Sequence, residues 1–360
     1  MRYNCFASCS FGLEAVVASE LRKLGFGNIE PRDARVYFFA DEAGLARANI
    51  RLRCADRVYI EAGAFTATTF DELFEGIRAI PWEEYIPADA SLPVNADSVK
   101  SALYSVSDIQ SISKKAIVQR LMSGHGARLL PETGDRYDVH IKILKNTVSA
   151  CLNVSGEGLN RRGYRLANVK APIRETLAAG LVMLAGWKEG CFADPMCGSG
   201  TIAIEAAMIG ANIAPGLNRS FDGEMWPALR EAWIQEKEAA KRDISEPAVI
   251  YASDIDKDAL SAADKNAKAA GVALRLYHAD VRDFARKDCV VLTNPPYAER
   301  LGEQSEVRRL YKDMGRAFSD VERKYIITAD DEFERYFGKR ATKKRKLYNG
   351  NIRCTLYQYY

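Results

Sequence analysis

Asp194-Pro195-Met196-Cys197-Gly198-Ser199-Gly200-Thr201 lies between a short apolar segment, 191–194, and an apolar run, 201–209, that reads as a helix. A strand that ends in an acid, turns through two closely spaced glycines and enters a helix is a βα unit of a parallel α/β sheet. The glycines let the backbone approach a bound group, and the start of the helix offers N–H donors without partners. No Lys-Ser or Lys-Thr pair follows them, so the loop is not a phosphate-cradling P-loop. Ala203 stands where a dinucleotide fingerprint wants its third glycine. An acid opening the loop repels pyrophosphate and suits a ligand with an ammonium group.

Working outward, the second half repeats strand and helix. Strands are expected over 191–194, 248–253, 274–278, 289–293 and 324–328, with helices over 201–209 and 257–270 and a Trp-containing insertion around Trp226 and Trp233. Short apolar strands alternating with helices imply a doubly wound parallel sheet. The alternating segment 352–359 follows the Asn349-Gly350 turn, which predicts an antiparallel hairpin at one edge.

Further candidate residues fall at the ends of these strands. Tyr251-Ala252-Ser253-Asp254-Ile255-Asp256 offers Asp254 as an acceptor for a ribose diol, and His278-Ala279-Asp280-Val281 offers Asp280 to an adenine amino group. Each alone is a weak signal. Together with the glycine loop they sit where open α/β sheets bind ligands, and they point to an adenosine-type ligand. Thr293-Asn294-Pro295-Pro296-Tyr297 follows the apolar strand Cys289-Val290-Val291-Leu292. Its prolines fix φ and remove N–H donors, leaving carbonyls. The Asn294 amide oxygen and the Pro295 carbonyl could both accept from one planar exocyclic amine, with Tyr297 stacked on the ring that carries it. That arrangement suits transfer to a poorly nucleophilic ring amine.

The first half reads as α+β with short antiparallel strands. Strands are expected at 3–7, 36–39, 57–60, 92–96, 137–144 and 148–154, with helices at 14–24, 41–49, 70–80 and 107–122. The stretch 156–174 carries Arg161, Arg162, Arg165, Lys170 and Arg174 with three glycines, and is expected to be an exposed basic linker. The expected division is a first subdomain over 1–60, a second over 61–156, the linker over 157–171 and the α/β domain over 172–360.

The 360 residues exceed one ordinary core. Lys and Arg total 51 against 48 Asp and Glu, a net +3, so bulk charge names no partner and only local clusters can. No uninterrupted apolar run is long enough to span a bilayer, and the start reads as a strand, not a signal peptide. The eight cysteines include no CxxC pair and lie far from the three histidines, so no metal site is expected and reduced thiols in the cytoplasm are.

Taken together, the four strand-end segments resemble the motifs of class I S-adenosylmethionine-dependent amino-methyltransferases. Arg161-Arg162-Gly163-Tyr164-Arg165, Ala171-Pro172-Ile173-Arg174-Glu175-Thr176 and Lys346-Leu347-Tyr348-Asn349-Gly350 are similar to segments of THUMP-containing RNA methylases. The similarity is greatest to the RlmL-type large-subunit rRNA guanine-N2 methyltransferases in their short single-enzyme form. The resemblance spans nearly the whole chain. It implies a ferredoxin-like subdomain and a THUMP RNA-binding domain ahead of a Rossmann-like methyltransferase domain. It implies an S-adenosylmethionine site of Pro172, Glu175, Thr176, Asp194, Pro195, Cys197, Gly198, Ser199, Gly200, Thr201, Asp254, Ile255, Asp280, Val281 and Asn294. Asn294, Pro295, Pro296 and Tyr297 would be catalytic. Ala298 departs from the glycine often found in relatives.

Basic side chains are the candidates for RNA contact. Lys339, Arg340, Lys343, Lys344, Arg345 and Lys346 put six cations in eight residues, of which Lys343, Lys344 and Arg345 are expected to touch RNA. Arg161, Arg162 and Arg165 of the linker, and Lys114, Lys115 and Arg120 on a helix, are the others. The expected activity is methylation of a guanine N2 amine in 23S rRNA, without a metal. The alternatives are an adenine-N6 or other amino-methyltransferase acting on tRNA or DNA, a protein-glutamine methyltransferase, and a non-catalytic RNA-docking protein.

Overall fold

The computed structural model describes residues 2–167, 173–297 and 304–360. Its strands form two seven-stranded sheets. The first contains β1 (Tyr3–Cys9), β2 (Glu30–Arg32), β3 (Arg35–Ala40), β4 (Ala55–Thr66), β5 (Val94–Val99), β6 (Val139–Leu144) and β7 (Thr147–Asn153), in the order β2-β3-β1-β4-β7-β6-β5. All its pairings are antiparallel except β5 with β6. β4 pairs with β1 through its first half and with β7 through its second, so one 12-residue strand joins both halves of the sheet. The expected boundary at 60 falls inside it. A register shift between Glu61 and Gly63 breaks the alternation that would have announced the longer strand.

The second sheet contains β8 (Phe192–Asp194), β9 (Ile250–Asp254), β10 (Arg275–His278), β11 (Val290–Thr293), β12 (Lys324–Thr328), β13 (Lys343–Asn349) and β14 (Ile352–Tyr359). Their order is β10-β9-β8-β11-β12-β14-β13. The first five run parallel and β14 runs antiparallel to both β12 and β13, the expected doubly wound sheet with an edge hairpin. The chain winds outward from β8 through β9 to β10, then returns to the other side of β8 with β11. That reversal opens a crevice at the carboxyl ends of β8 and β11, where such sheets hold ligands. β8 and β11 are buried along their whole length, as central parallel strands are.

The insertion between β8 and β9 docks the two sheets together. Its helix Arg230–Arg242 places Glu236 against Arg51 and Asp243 2.6 Å from Arg51. Trp226 stacks on Tyr137 with ring centroids 4.3 Å apart and donates its indole N–H to the Arg136 carbonyl at 2.9 Å.

Among the described residues of the stretch expected to be an exposed basic linker, Arg161 and Arg174 are exposed but Arg162 and Tyr164 are not. Arg162 is buried beneath the surface, 3.3 Å from the equally buried Glu205, and Tyr164 donates to the same carboxylate at 3.0 Å. The reason is the helix Thr201–Gly210, whose otherwise apolar face carries one carboxylate that needs a cation. The stretch also holds an acid, Glu157, which pairs with Arg161 at 2.6 Å. Cys191 and Cys289, expected as free thiols, immediately precede β8 and β11 with Cα atoms 4.4 Å apart and are joined as a disulfide. Adjacent parallel strands in register bring them together.

Candidate active site

The crevice is a cleft of about 1200 Å³. Three turns of the parallel sheet and the loop after β11 build it. Asp194 ends β8, one of its Oδ atoms accepting from the Thr293 hydroxyl at 2.8 Å and from the Met196 N–H at 3.4 Å. Burial pushes the Asp194 carboxyl up to about 7, against the pull of the Thr293 hydrogen bond. The loop after it is stitched to the end of β9: Cys197 N–H donates to the Ser253 carbonyl at 3.0 Å and Gly198 N–H to Asp254 at 2.8 Å. The other Asp254 oxygen accepts from the Asp256 N–H at 3.0 Å. A carboxylate has about four lone-pair sites, so two remain for a diol.

Pro195, Cys197, Gly198, Ser199 and Thr201 line the cleft with Asp194. Gly200 does not. It sits at φ +82°, and a Cβ there would come 3.0 Å from Ala263 Cβ, so this glycine lets the loop pass the helix Lys257–Ala269. Ile255 is 63% exposed on the cleft wall, an apolar surface placed for a flat ring. Asp280 and Val281 line the same wall, and Asp280 also holds Arg282 in a bidentate pair with distances of 2.9 and 2.5 Å.

Glu175 and Thr176, expected at the cofactor, lie elsewhere. Neither lines the cleft. Glu175 is buried against Arg165 at 2.8 Å, and the Thr176 hydroxyl donates to Asp56 of the first domain at 3.1 Å. They begin the helix Glu175–Leu184, whose start faces the domain junction, and the neighbouring residue Ile173 lines the cleft instead. Pro172 and Ala298 lie outside the described residues.

Asn294, Pro295, Pro296 and Tyr297 form the wall beyond β11. The Asn294 amide makes no hydrogen bond to any other described residue. The Pro296 carbonyl accepts from the Tyr311 hydroxyl at 3.3 Å, which pins the loop to the helix Gln304–Ala317. That helix also brings Glu306, Arg309, Leu310 and Asp313 to the cleft. The sequence reading missed it, although Val307, Tyr311 and Met314 form a buried stripe at helical spacing.

The candidate RNA contacts divide by what already holds them. Lys114 pairs with Glu132 at 3.0 Å and Arg120 with Glu83 at 2.5 Å. Arg162 and Arg165 are turned inward onto Glu205 and Glu175, so both are already paired with a carboxylate. Lys344 pairs with Glu334, and Arg345 donates to the Gly12 carbonyl at 3.1 Å, tying the edge hairpin to the first domain. Lys115 and Lys343 are exposed with no ion pair to another described residue. Among the described residues no group of three or more His, Cys, Asp or Glu side chains could hold a metal, and no helix is long and apolar enough to cross a membrane.

A parallel sheet with an antiparallel edge hairpin, an acid ending its first strand and an Asn-Pro-Pro-Tyr loop beside it define a class I methyltransferase fold and cleft. The RMKL-like methyltransferase domain family matches residues 162–358, the RlmL ferredoxin-like domain residues 4–59 and the THUMP domain residues 67–152. The chain belongs to the RMKL-like methyltransferase family. It is 45% identical over its whole length, and over 96% of the relative's, to a Bacillus subtilis (strain 168) protein named "Putative RNA methyltransferase YpsC". It is 35% identical over 98% of its length to the ribosomal RNA large subunit methyltransferase K/L of Syntrophotalea carbinolica, of which it spans 52%.

Two solved structures superpose on nearly all of it. One, from Listeria monocytogenes and called a predicted N6-adenine-specific DNA methylase, has a TM-score of 0.95 at 44% identity and covers all of this chain and 96% of its own. The other, SMU.472 "complexed with SAH", has a TM-score of 0.94 at 39% identity and covers all of this chain and 98% of its own. The cofactor is S-adenosylmethionine, and the donor set fits it. Asp194 suits its ammonium group, Asp254 its ribose, and Ile255 with Val281 its adenine ring.

Proposed function

We propose that this chain transfers a methyl group from S-adenosylmethionine to the exocyclic N2 amine of a guanine in large-subunit ribosomal RNA, in the cytoplasm. The observation that carries the reading is the Asn294–Tyr297 loop forming one wall of the cleft whose other walls are Asp194 and Asp254. The THUMP match and the names of the RNA-methylating relatives support RNA as substrate.

S-adenosylmethionine supplies an electrophilic methyl carbon. The protein's part is to place an amine in line with it. Asn294 and the Pro295 carbonyl are the acceptors left for that amine, since Tyr311 takes the Pro296 carbonyl. Two acceptors hold both N–H bonds in a fixed plane as the nitrogen turns its lone pair toward the methyl carbon. Tyr297 supports the base by stacking. The nitrogen–carbon bond forms as the carbon–sulfur bond breaks, and the amine then gives its proton to water. Positioning is the main catalytic device.

Mass mapping of methylated nucleosides in rRNA from a strain lacking the protein tests this reading. Loss of one N2-methylguanosine from 23S rRNA, restored by the wild-type protein, is expected. Full retention of that mark, or loss of N6-methyladenosine from DNA instead, overturns it.

A further inference from the structure

A second cavity, of about 660 Å³, opens where the 156–174 stretch meets the insertion. Arg161, Arg162, Arg165, Arg174 and Arg219 line it, against the carboxylates Glu157, Glu175 and Asp222. The acids are already taken. Glu157 holds Arg161 at 2.6 Å, Glu175 holds Arg165 at 2.8 Å, and Asp222 lies 3.5 Å from Arg136. Arg162 answers Glu205 beneath the floor. Arg174 and Arg219 are left without a carboxylate in ion-pair range among the described residues.

The two differ in what they can offer. Arg219 spends its donors on backbone carbonyls, with 2.6 Å to Gly158 and 2.8 Å to Glu157, and so fixes the loop while adding charge. Burial, and then the nearby Arg162 charge, disfavours its cation, yet a guanidinium stays charged; the pocket holds a cation short of an anion. Arg174 is exposed, and its guanidinium makes no hydrogen bond to a described residue. Its backbone N–H is fixed by Asn349 of the hairpin tip at 3.1 Å. Asp56, the half-buried acid that feels Arg174, accepts from Thr176.

The pocket shares a wall with the cleft. Arg165 donates to the Ile173 carbonyl at 2.8 Å and to the Thr201 hydroxyl at 3.2 Å, and both of those residues line the cleft. Ile173 and Arg174 are consecutive, one facing each cavity.

Resting on the proposed RNA substrate, we propose that this pocket binds a backbone phosphate of the RNA strand beside the target nucleotide, with Arg174 as the contacting residue and Arg219 as the residue that shapes and charges the site. A planar, bidentate guanidinium suits a phosphodiester, and a phosphate fixed next to the cleft sets which nucleotide reaches it.

The test measures affinity and turnover of the wild type, Arg174→Ala and Arg174→Lys with deproteinised 23S rRNA from the deletion strain, at several salt concentrations. Arg174→Ala should weaken RNA binding by about tenfold and lower the salt slope by roughly 0.7–0.9, the effect of one lost phosphate contact. Its KM for RNA should rise while kcat and S-adenosylmethionine affinity hold, and Arg174→Lys, which keeps the charge without the planar fork, should restore the salt slope but only part of the affinity. Wild-type affinity and slope in Arg174→Ala, alongside a wild type that binds and methylates RNA, overturns the pocket assignment alone. A wild type that neither binds nor methylates any RNA overturns the proposed function, and this assignment with it.

Discussion

Thr293 donates its hydroxyl to Asp194 at 2.8 Å, joining the last residue of β11 to the last residue of β8 across the middle of the sheet. The next residue, Asn294, begins the loop assigned to the target base. One hydrogen bond thus sets the spacing between the loop that meets the cofactor and the loop that meets the substrate.

That bond predicts a pH dependence. Asp194 sits at about 7 because burial outweighs the Thr293 hydrogen bond. The folded protein keeps a proton that an unfolded Asp gives up near about 4, so without ligand it loses stability as pH rises from about 4 to 7. A cationic ligand group favours the ionised form, so S-adenosylmethionine affinity should rise with pH and level off above about 7. Calorimetry near pH 6 in buffers of different ionisation enthalpy should detect proton release, and Asp194→Asn should abolish it. Thr293→Val should move the plateau to higher pH. A wild-type affinity that is flat between about pH 6 and 8 would sink the assignment of Asp194.

Asp254 both faces the cleft and accepts the Gly198 and Asp256 N–H groups, so its removal should loosen the loop as well as the ribose. Asp254→Ala is expected to cost about 2 kcal/mol of cofactor binding, roughly thirtyfold in Kd. Titration calorimetry gives the number directly, and unchanged affinity rejects the role.

The legible parts of this chain are those whose signal is local. The strands at Lys324–Thr328 and Ile352–Tyr359 match the expected segments residue for residue, because apolar runs and alternation need no knowledge of the partner strand. The cleft residues after β8, β9, β10 and β11 were legible because the motif chemistry is fixed by neighbours in sequence. What depends on distant partners was not. The burial of Arg162 is decided by Glu205, 43 residues away, and the docking of Trp226 by the Arg136 carbonyl, 90 residues away. The helix Gln304–Ala317 was hidden by its own charges: Glu306, Arg308, Arg309, Lys312, Asp313 and Arg316 surround a narrow apolar stripe.

The Arg162–Glu205 pair predicts a stability effect with an internal control. Glu205→Ala leaves the Arg162 cation buried without its carboxylate, which should cost about 3–5 kcal/mol. Replacing both, Arg162→Met with Glu205→Leu, should recover only part of that loss, since the Tyr164 hydroxyl and the Leu159 and Arg53 carbonyls then lose their partners. Thermal denaturation of the three proteins checks it. Equal melting of Glu205→Ala and wild type would show the pair to be solvated after all.

The edge hairpin predicts an ordering among its cations. Lys343 is exposed without an ion pair and Lys346 lies over the Tyr348 ring, 5.7 Å from its centroid, whereas Lys344 is held by Glu334. Lys343→Ala with Lys346→Ala should lower the salt slope of RNA binding by roughly 1.4–1.8, two phosphate contacts at about 0.7–0.9 each. Lys344→Ala should change it little. Arg345→Ala should instead lower the melting temperature, because it loses the bond to the Gly12 carbonyl. An equal effect from Lys343 and Lys344 would mean that the hairpin acts as an undifferentiated charged face.

The last expectation concerns the chemical step. Asn294 lines the cleft with its amide unpaired among the described residues, on a loop stiffened by two prolines and pinned by Tyr311 at Pro296. Asn294→Ala removes one of two acceptors for the target amine and leaves the contacts of Asp194 and Asp254 in place. That acceptor matters most while the nitrogen rehybridises, so the loss should fall on turnover more than on binding. By analogy with loss of one preorganised hydrogen-bonding group, kcat should drop on the order of 10²–10³. Tyr297→Ala should instead weaken placement of the base by roughly 1–3 kcal/mol, the worth of one stacking contact. Tyr297→Phe should be mild, because the ring carries the role. Single-turnover methylation at saturating cofactor compares the three, and near-normal turnover in Asn294→Ala would remove this loop from the mechanism.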